Sequence, residues 1–296
     1  MKLTLITVCR NAAPVIAETL ESVLAQTHQD IELVVIDGAS TEGTVEILRE
    51  FERRVNGKIK PPQGLPRVRS TVDEGTLRDE GAGSLAGDPA EDGTGDPAEG
   101  HRRMVLVSEP DKGIYDAMNK GLRLATGDVI GFVNAGDLLM TPEVLAKVAE
   151  AFENSNADAV YGDIIMVDEK DIHKIHRTWL SGSYDRNNFR KGWMPPHVAT
   201  FIKKSVYDKY GHFNTDLRIG ADYEILLRFL YRHKIPTVHL PEILVRFRLG
   251  GMSNGNLKQI LQANREVRAS WGLNGVKAPP LLVTRKLWSK VMQFFK

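Results

Sequence analysis

Short β-branched segments alternate with longer helical segments in the first part of the chain. The runs LTLITV and IELVVI are each followed by a helical pattern, over Val15–Gln26 and Thr44–Arg54. Strands that alternate with helices favour a parallel sheet whose two faces are both covered by helices. We therefore predict an α/β fold with a Rossmann-like, mostly parallel central sheet.

This alternation stops between Gly57 and Arg103. The segment has no aromatic residue and repeats the pentapeptide GDPAE at 87–91 and 95–99. Such a composition buries too little apolar surface to offset the entropy lost on ordering, so we predict a disordered insertion at 57–103. GAGSLA at 81–86 matches the letters of a dinucleotide-binding pattern. We discount the match, because no predicted strand precedes it and no predicted helix follows it.

The alternation resumes with strand 104–107, a helix over Ile114–Leu124 and the apolar run VIGFVNAGDLLM. We then predict a helix over 142–154 capped by Thr141, a strand-rich stretch from 159 to 179, and a loop through WMPPHVATFI. A helix from Asp222 to Arg232 and the strand ILVRFRL follow. We therefore predict one domain over 1–254 and a helical tail over 255–296.

Composition excludes several classes of function. A single cysteine, Cys9, excludes an internal disulfide and a Cys-based zinc site, and it fits a reducing, cytoplasmic compartment. With 39 Lys and Arg against 38 Asp and Glu, the net charge gives no reason to expect nucleic acid as a partner. No apolar stretch reaches the ~18 residues of a membrane span.

Polar segments follow three of the predicted strands: TVCRN, DGAST and NAGD. In open α/β sheets, ligands bind outside the carboxyl ends of the strands. Each segment alone is equally well explained as a turn or a helix cap.

Five segments together, in this order, resemble the successive motifs of family 2 glycosyltransferases with the GT-A fold: LITVCRN, VVIDGASTEGT, EPDKGIYDAMNKG, GFVNAGD and GADYEILLRFL. The resemblance covers residues 3–54 and 104–254, and FRLGGMSN extends it towards the WcaE-like subgroup of surface-polysaccharide enzymes. It implies transfer of a sugar, with inversion, from a nucleotide-diphosphate sugar donor to a hydroxyl of a glycan or lipid-linked glycan acceptor.

The resemblance also implies a metal ion, Mg²⁺ or Mn²⁺, held by Asp137. Family members commonly carry further acids here, whereas this chain has Asn134 and Gly136. A cation held by one carboxylate together with phosphates and water is chemically reasonable for Mg²⁺. The alternative is that Asp137 only caps the following helix.

By the same resemblance Asp222 is the catalytic base, although Ala221 replaces the family's preceding acid. Glu224 is the weaker substitute. A carboxylate at a helix start is also stabilised by the helix dipole, so a capping role is the competing interpretation.

The remaining candidates follow from the order of the motifs. Residues implied near the nucleotide or sugar are Thr7, Asn11, Asp37, Asp111, Asn119, Lys120 and Asn134. Candidates near the acceptor or a phosphate are His197, Arg246 and Arg248. Lone histidines are more often structural, and a solvated strand face explains the arginine pair about as well.

After Pro280 the chain reads LLVTRKLWSKVMQFFK, which on a helix separates an apolar sector from a basic one. This pattern predicts peripheral contact with an anionic membrane. Packing on the chain's own core, or on a second subunit, has nearly equal weight.

Two other functional classes compete with the transferase. A nucleotidyltransferase normally has a glycine-rich loop after its first strand, and TVCRNAAPV contains no glycine. A non-catalytic nucleotide-sugar-binding module would bind nucleotide equally well with and without metal.

Overall fold

A computed structural model of the chain describes residues 1–57, 102–250, 257–280 and 282. Its strands and helices follow one another as β1 (Leu3–Cys9), α1 (Ala13–Leu24), β2 (Ile31–Asp37), α2 (Thr44–Val55), β3 (Arg103–Ser108), α3 (Ile114–Leu124), β4 (Val129–Phe132), β5 (Leu138–Leu139), α4 (Val144–Glu153), β6 (Ala159–Val167), β7 (Ile175–Trp179), β8 (Thr200–Lys203), α5 (Lys204–Tyr210), α6 (Ala221–Leu226), β9 (Thr237–Arg248) and α7 (Leu257–Leu273). Two 3₁₀ turns, Arg186–Lys191 and His197–Ala199, precede β8, and a π-helical turn, Leu227–Arg232, continues α6.

The strands form one sheet in the order β3-β2-β1-β4-β8-β6-β9-β5, with β7 paired to the outside of β6. Strands β1 to β4 are parallel to one another. Since β8 is antiparallel to both β4 and β6, and β9 is parallel to β6, the strands β6 and β9 also run in the direction of β1. Six strands therefore deliver their carboxyl ends to one edge, which we call the carboxyl edge.

Two apolar cores cover the two faces of the sheet. Alternate residues of β1 separate between them, with Leu3 and Leu5 in one core and Ile6 and Val8 in the other. Helices α1, α2 and α4 contribute to the first core, and α3, α6 and α7 to the second. This alternation confirms the predicted sheet with helices on both faces, because side chains of a strand point to opposite faces with a period of two.

Several local predictions were wrong. Part of the loop predicted through WMPPHVATFI is strand β8, which fills the gap between β4 and β6. Helix α4 begins at Val144 rather than 142, and Thr141 does not cap it: the N-cap residue is Glu143, without a side-chain cap. The helix predicted from Asp222 to Arg232 changes from α to π geometry at Leu227.

The side chain of Asn56 joins the two parts of the chain that flank residues 58–101. The amide of Asn56, just after α2, donates to the carbonyl of Met104 (3.0 Å) and accepts from its N–H (3.0 Å). Both residues lie at the edge opposite the carboxyl edge. The disorder predicted for 57–103, and the GAGSLA pattern within it, fall largely outside the described residues.

The predicted helical tail is helical over α7. The amphipathic sequence after Pro280 lies outside the described residues, apart from Leu282. Within the described part of the chain, no helix is both long and apolar enough to cross a membrane.

Candidate active site

The loops after β1, β2 and β4 meet at the carboxyl edge, as the three polar segments predicted. The backbone N–H of Asn11 donates to Ser40 Oγ (2.7 Å), and Asn11 Oδ1 accepts from the N–H of Thr41 (3.0 Å). Asn11 and Ala39 both have left-handed backbones, with φ of 50° and 54°. Non-glycine residues held in this region are strained and cluster at functional sites.

Asp37 is the centre of this loop junction and is fully buried. Its carboxylate accepts hydrogen bonds from the N–H and hydroxyl of Ser40, from Ser108 Oγ (2.7 Å) and from Cys9 Sγ (3.7 Å). These donors use most of the accepting capacity of the two oxygens. A base N–H could bind Asp37, as the resemblance implies, only by displacing one of them.

Thr7 and Asn134 carry buried polar atoms that find no hydrogen-bond partner among the described residues. They are Thr7 Oγ1 and Asn134 Oδ1, on the neighbouring strand ends of β1 and β4. Buried polar atoms in native proteins are nearly always paired, so an unpaired one needs an explanation. A ligand at the carboxyl edge would supply the missing partners.

Asp137 is buried directly after β4, with 3% of its surface exposed. Its carboxylate accepts the backbone N–H of Arg248 (3.2 Å) and is also bonded by Asn134. Burial raises the pKa of Asp137 to about 7, although these hydrogen bonds and the charge of Arg248 oppose the rise. The residue does not cap α4, because strand β5 separates it from that helix.

The loop that carries Asp137 is held from both sides. The N–H of Gly136, whose φ is +98°, donates to Thr19 Oγ1 on α1 (2.9 Å). Arg248 Nε donates to the Gly136 carbonyl (3.2 Å), and the same guanidinium pairs with Glu18.

The predicted arginine pair separates into two different environments. Arg248 reaches the loop of Asp137, whereas Arg246 donates to Met140 Sδ (3.4 Å) and to the carbonyl of Ile172 (3.4 Å). Both guanidinium groups are partly buried and bonded within the protein.

Asp222 lies in the first turn of α6, half-buried. Its Oδ1 accepts from the N–H of Tyr223 (2.7 Å), and the cap position itself is Gly220, without a side-chain cap. The negative charge of Asp222 acts to raise the pKa of both His197 and Tyr115. His197 packs between Phe132, the last residue of β4, and Phe213, with ring centroids 5.1 and 5.5 Å apart.

The electrostatic environment favours a neutral His197. Burial lowers its pKa, and the negative charge of Asp222 only partly compensates. His197 thus packs against the last residue of β4, the strand that precedes Asp137, and also feels the charge of Asp222.

Glu224, the substitute base, is committed elsewhere. It is buried, pairs with Arg228 at 2.8 Å and accepts from Asn274 (2.9 Å). Removing Arg228 would leave the buried charge of Glu224 without its ion-pair partner, so this cluster has a structural role.

The predicted residues around α3 lie next to the same edge and are bonded within the chain. Asp111 accepts from the N–H of Gly113 (2.8 Å). Lys120 donates to the carbonyl of Pro110 (2.8 Å) and pairs with Glu109 (2.8 Å). Asn119 is buried and makes two hydrogen bonds to the backbone of Phe213, so it fixes the chain that leads towards α6.

Within the described residues, no group of three or more His, Cys, Asp and Glu side chains is arranged to hold a metal ion. Asp137 and Asn134 are the oxygen-bearing side chains at the place where the resemblance puts a cation. The structure also brings in two residues that sequence reasoning missed: Tyr115, inside a quoted motif, and Glu266 on α7.

Comparisons with known proteins bear on the family and the fold. The sequence model of "Glycosyl transferase family 2" matches residues 4–70 and 85–211. A PGL/p-HBAD biosynthesis glycosyltransferase of Mycobacterium bovis is 26% identical over 246 residues, 82% of this chain and 76% of that protein.

Among solved structures, TarS 1-349 of S. aureus in complex with UDP has a TM-score of 0.58 and 14% identity, over 91% of this chain and 65% of that one. Of the longer TarS chain, the matched region is 39%. The mannosyltransferase PcManGT of Pyrobaculum calidifontis, in complex with GDP-Man and Mn2+, has a TM-score of 0.58 and 18% identity, over 96% of this chain and 68% of that one.

Proposed function

Because this chain belongs to glycosyltransferase family 2 and has the fold of GT-A enzymes, we propose that it is an inverting, metal-dependent transferase. It moves a sugar from a nucleoside diphosphate sugar to an acceptor hydroxyl. The observation that carries the proposal is the junction at the end of β4. The ring of Phe132 packs against His197, whose pKa the charge of Asp222 acts to raise. The buried Asp137 follows Phe132 by five residues.

The residues at Asp137 fit a divalent cation. A buried carboxylate whose pKa rises to about 7 lacks enough positive charge around its ionised form. The unpaired Asn134 Oδ1 is a second hard oxygen donor. A Mg²⁺ or Mn²⁺ ion held there would stabilise the negative charge on the leaving nucleoside diphosphate. With one protein carboxylate, the remaining ligands would be phosphate and water oxygens.

Asp222 is the proposed general base. One carboxylate oxygen is held by the N–H of Tyr223, which orients the group within α6. The other oxygen takes the proton of the acceptor hydroxyl as that hydroxyl attacks the anomeric carbon. Because His197 is neutral, it forms no ion pair with Asp222, and the carboxylate keeps its charge for the reaction. The imidazole ring also presents an aromatic surface near the acceptor.

Thr7, Asn11 and Asn134 are the proposed contacts of the donor nucleotide, together with Asp37, Asp111, Asn119 and Lys120 around them. The unpaired atoms of Thr7 and Asn134 support this placement. The solved neighbours in complex with UDP and with GDP-Man support a nucleotide-sugar donor. A glycolipid or cell-surface polysaccharide is the proposed acceptor, in keeping with the name of the mycobacterial relative.

The C-terminal tail is proposed to bind the cytoplasmic face of the cell membrane. The sequence after Pro280, which on a helix separates an apolar sector from a basic one, supports this. Liposome sedimentation of the full chain and of a chain ending at Lys277 tests this. Undiminished binding of the shorter chain to anionic vesicles would contradict it.

The main experiment has two steps. A thermal-shift screen of UDP, GDP and their sugars with Mn²⁺ identifies the donor, because a ligand that binds only the folded state raises its stability. Transfer is then measured for the wild type and Asp222→Asn. We expect the variant to lose transfer while its donor affinity stays within about twofold. Normal turnover by Asp222→Asn would refute the base, and nucleotide binding independent of Mn²⁺ without turnover would indicate a non-catalytic module.

A further inference from the structure

Three consecutive backbone N–H groups just before α6 converge on the carboxylate of Glu266. The N–H groups of Ile219 and Gly220 donate to Oε2 at 2.8 and 2.7 Å, and that of Arg218 donates to Oε1 at 3.2 Å. Burial alone would raise the pKa of Glu266, but these hydrogen bonds, with one from Gln262, hold it below its ordinary value. The carboxylate therefore stays ionised and keeps its hydrogen bonds to the backbone of 218–220.

The hydroxyl of Tyr115 faces the next two N–H groups. Tyr115 Oη donates to the carbonyl of Ile219 (2.5 Å), and the backbones of Ala221 and Asp222 oppose the rise that burial causes in the pKa of Tyr115. The first N–H groups of a helix have no partner within the helix and need one from outside. Glu266 supplies the acceptor for the N–H groups from 218 to 220, and the Tyr115 hydroxyl faces those of Ala221 and Asp222.

This arrangement decides how the carboxylate of Asp222 is used. Asp is a preferred capping residue, and unsatisfied N–H groups at a helix start attract the nearest carboxylate. Here Glu266 already occupies the donors of 218–220 and the Tyr115 hydroxyl faces the next two, so Asp222 contributes one oxygen to the N–H of Tyr223 and keeps the other for a ligand. Without Glu266, the two partly buried N–H groups of Ile219 and Gly220, close to Asp222, would lose their acceptor.

Helix α7 and the residue after it are also bonded to the two residues of α6 that follow Asp222. Trp271 Nε1 donates to Tyr223 Oη (3.0 Å), and Asn274 donates to Glu224 (2.9 Å). Gly220 allows the close approach, since a Cβ there would lie 3.0 Å from Cβ of Glu266. The position of Glu266 is thus set by the same helix that supports the rest of α6.

We infer that Glu266 is a positioning residue that orients Asp222 by holding the backbone of 218–220 from the C-terminal helix. This inference rests on the proposed function for its kinetic consequence, and on the hydrogen bonds alone for its structural one.

The structural consequence is tested by amide hydrogen exchange. In Glu266→Ala we expect exchange over 218–222 to accelerate at least about tenfold, while the strands of the sheet exchange as in the wild type. Gly272→Ala is the matched control on α7, because a Cβ there meets no atom within 4 Å. Unchanged exchange over 218–222 in Glu266→Ala would overturn the inference whether or not the protein proves to be a transferase.

The kinetic consequence is tested on the same variants. We expect Glu266→Ala to lower kcat about 100-fold with donor KM within twofold, since small displacements of a reacting group have effects of this size. Glu266→Gln keeps one acceptor oxygen for Ile219 and Gly220 and should recover most of the loss.

Trp271→Phe loosens α7 without touching Glu266. If Trp271→Phe lowers kcat as much as Glu266→Ala at an equal loss of stability, or if Glu266→Ala keeps wild-type kcat, the positioning role is refuted.

Discussion

The carboxylate of Asp137 accepts a hydrogen bond from the backbone N–H of Arg248, at 3.2 Å. This bond fastens the loop after β4 to the end of β9, and the Arg248 side chain returns to the carbonyl of Gly136 (3.2 Å). The acid proposed to hold a cation is therefore placed by two distant strands. Its charge is buried against one backbone donor and a guanidinium that is shared with Glu18.

Asp137→Asn should stabilise the metal-free protein at pH 8. The substitution removes a buried charge whose pKa is raised to about 7, and a shift of that size corresponds to roughly 4 kcal/mol in the free energy of unfolding. The same variant should lose any stabilisation by Mn²⁺ with nucleotide. Thermal unfolding with and without MnCl₂ measures both effects. The exposed Glu50→Gln serves as a control, and a Mn²⁺-dependent shift that survives in Asp137→Asn would rule out the metal assignment.

The contribution of Asp137 to the stability of the metal-free protein should fall as pH rises from about 4 to 7. Over this window Asp137 binds more protons in the folded state, with its pKa of about 7, than in the unfolded state, where an aspartate titrates near ~3.9. Its contribution is constant above about pH 8. Urea unfolding of the wild type and Asp137→Asn isolates the contribution of this group as the difference between the two pH profiles. Parallel profiles would contradict the burial of the charge.

Affinity for Mn²⁺ in the presence of nucleotide should rise with pH through about 7. A proton on Asp137 competes with the cation, and metal ligands must be deprotonated. Below the pKa of about 7, we expect the affinity to fall about tenfold per pH unit. Calorimetric titrations at pH 6, 7 and 8 in two buffers of different ionisation enthalpy would also detect the released proton. An affinity independent of pH would exclude Asp137 as the ligand.

Glu32 should stabilise the fold above its pKa and lose that effect in acid. This buried carboxylate accepts from Thr4 Oγ1 (2.8 Å) and from the N–H and hydroxyl of Thr126 (both 2.7 Å). Burial would raise its pKa, but these bonds and the nearby Lys2 lower it. Because the folded pKa lies below the unfolded one, the stabilisation is present above the unfolded pKa and disappears as pH falls through the folded pKa.

Glu32→Gln should therefore cost roughly 1–3 kcal/mol at pH 7, and less at pH 4. Urea unfolding at the two pH values measures the difference. An equal cost at both would show that shape rather than charge holds this site together.

Cys9 should resist thiol reagents in the folded protein. The thiol is buried, and its pKa is raised by burial and by the charge of Asp37, to which it donates a hydrogen bond. Because the thiolate is the reactive form, we expect no reaction with Ellman's reagent at pH 8 until denaturant is added. Rapid reaction of the native protein would contradict the closed junction around Asp37.

The sequence predicted the strands with long β-branched runs, because β1, β2 and β4 are buried on both faces and read as continuous apolar segments. It missed β8, whose four residues are defined by pairing with β4 and β6 rather than by their own pattern. It also placed a cap at Thr141, where local preference was overridden by Gln26, which bonds the carbonyl of Thr141 and the N–H of Leu145.

For the candidate site, motif order predicts roles for Asp137 and Asp222, and both sit at the ends of regular elements. Glu266 had no such signal. It is an acid within a helix otherwise unremarkable in sequence, and its role depends on how α7 packs against the loop before α6. Contacts of this kind depend on tertiary packing, which motifs do not encode.

The double hydrogen bond between Asn56 and Met104 bears on how the protein can be engineered. It brings two points far apart in the chain together at the sheet edge that faces away from Asp137 and Asp222. New termini, a reporter domain or a short bridging peptide could be introduced between them at little energetic cost. A reporter domain inserted between these two residues would lie at the sheet edge opposite Asp137 and Asp222.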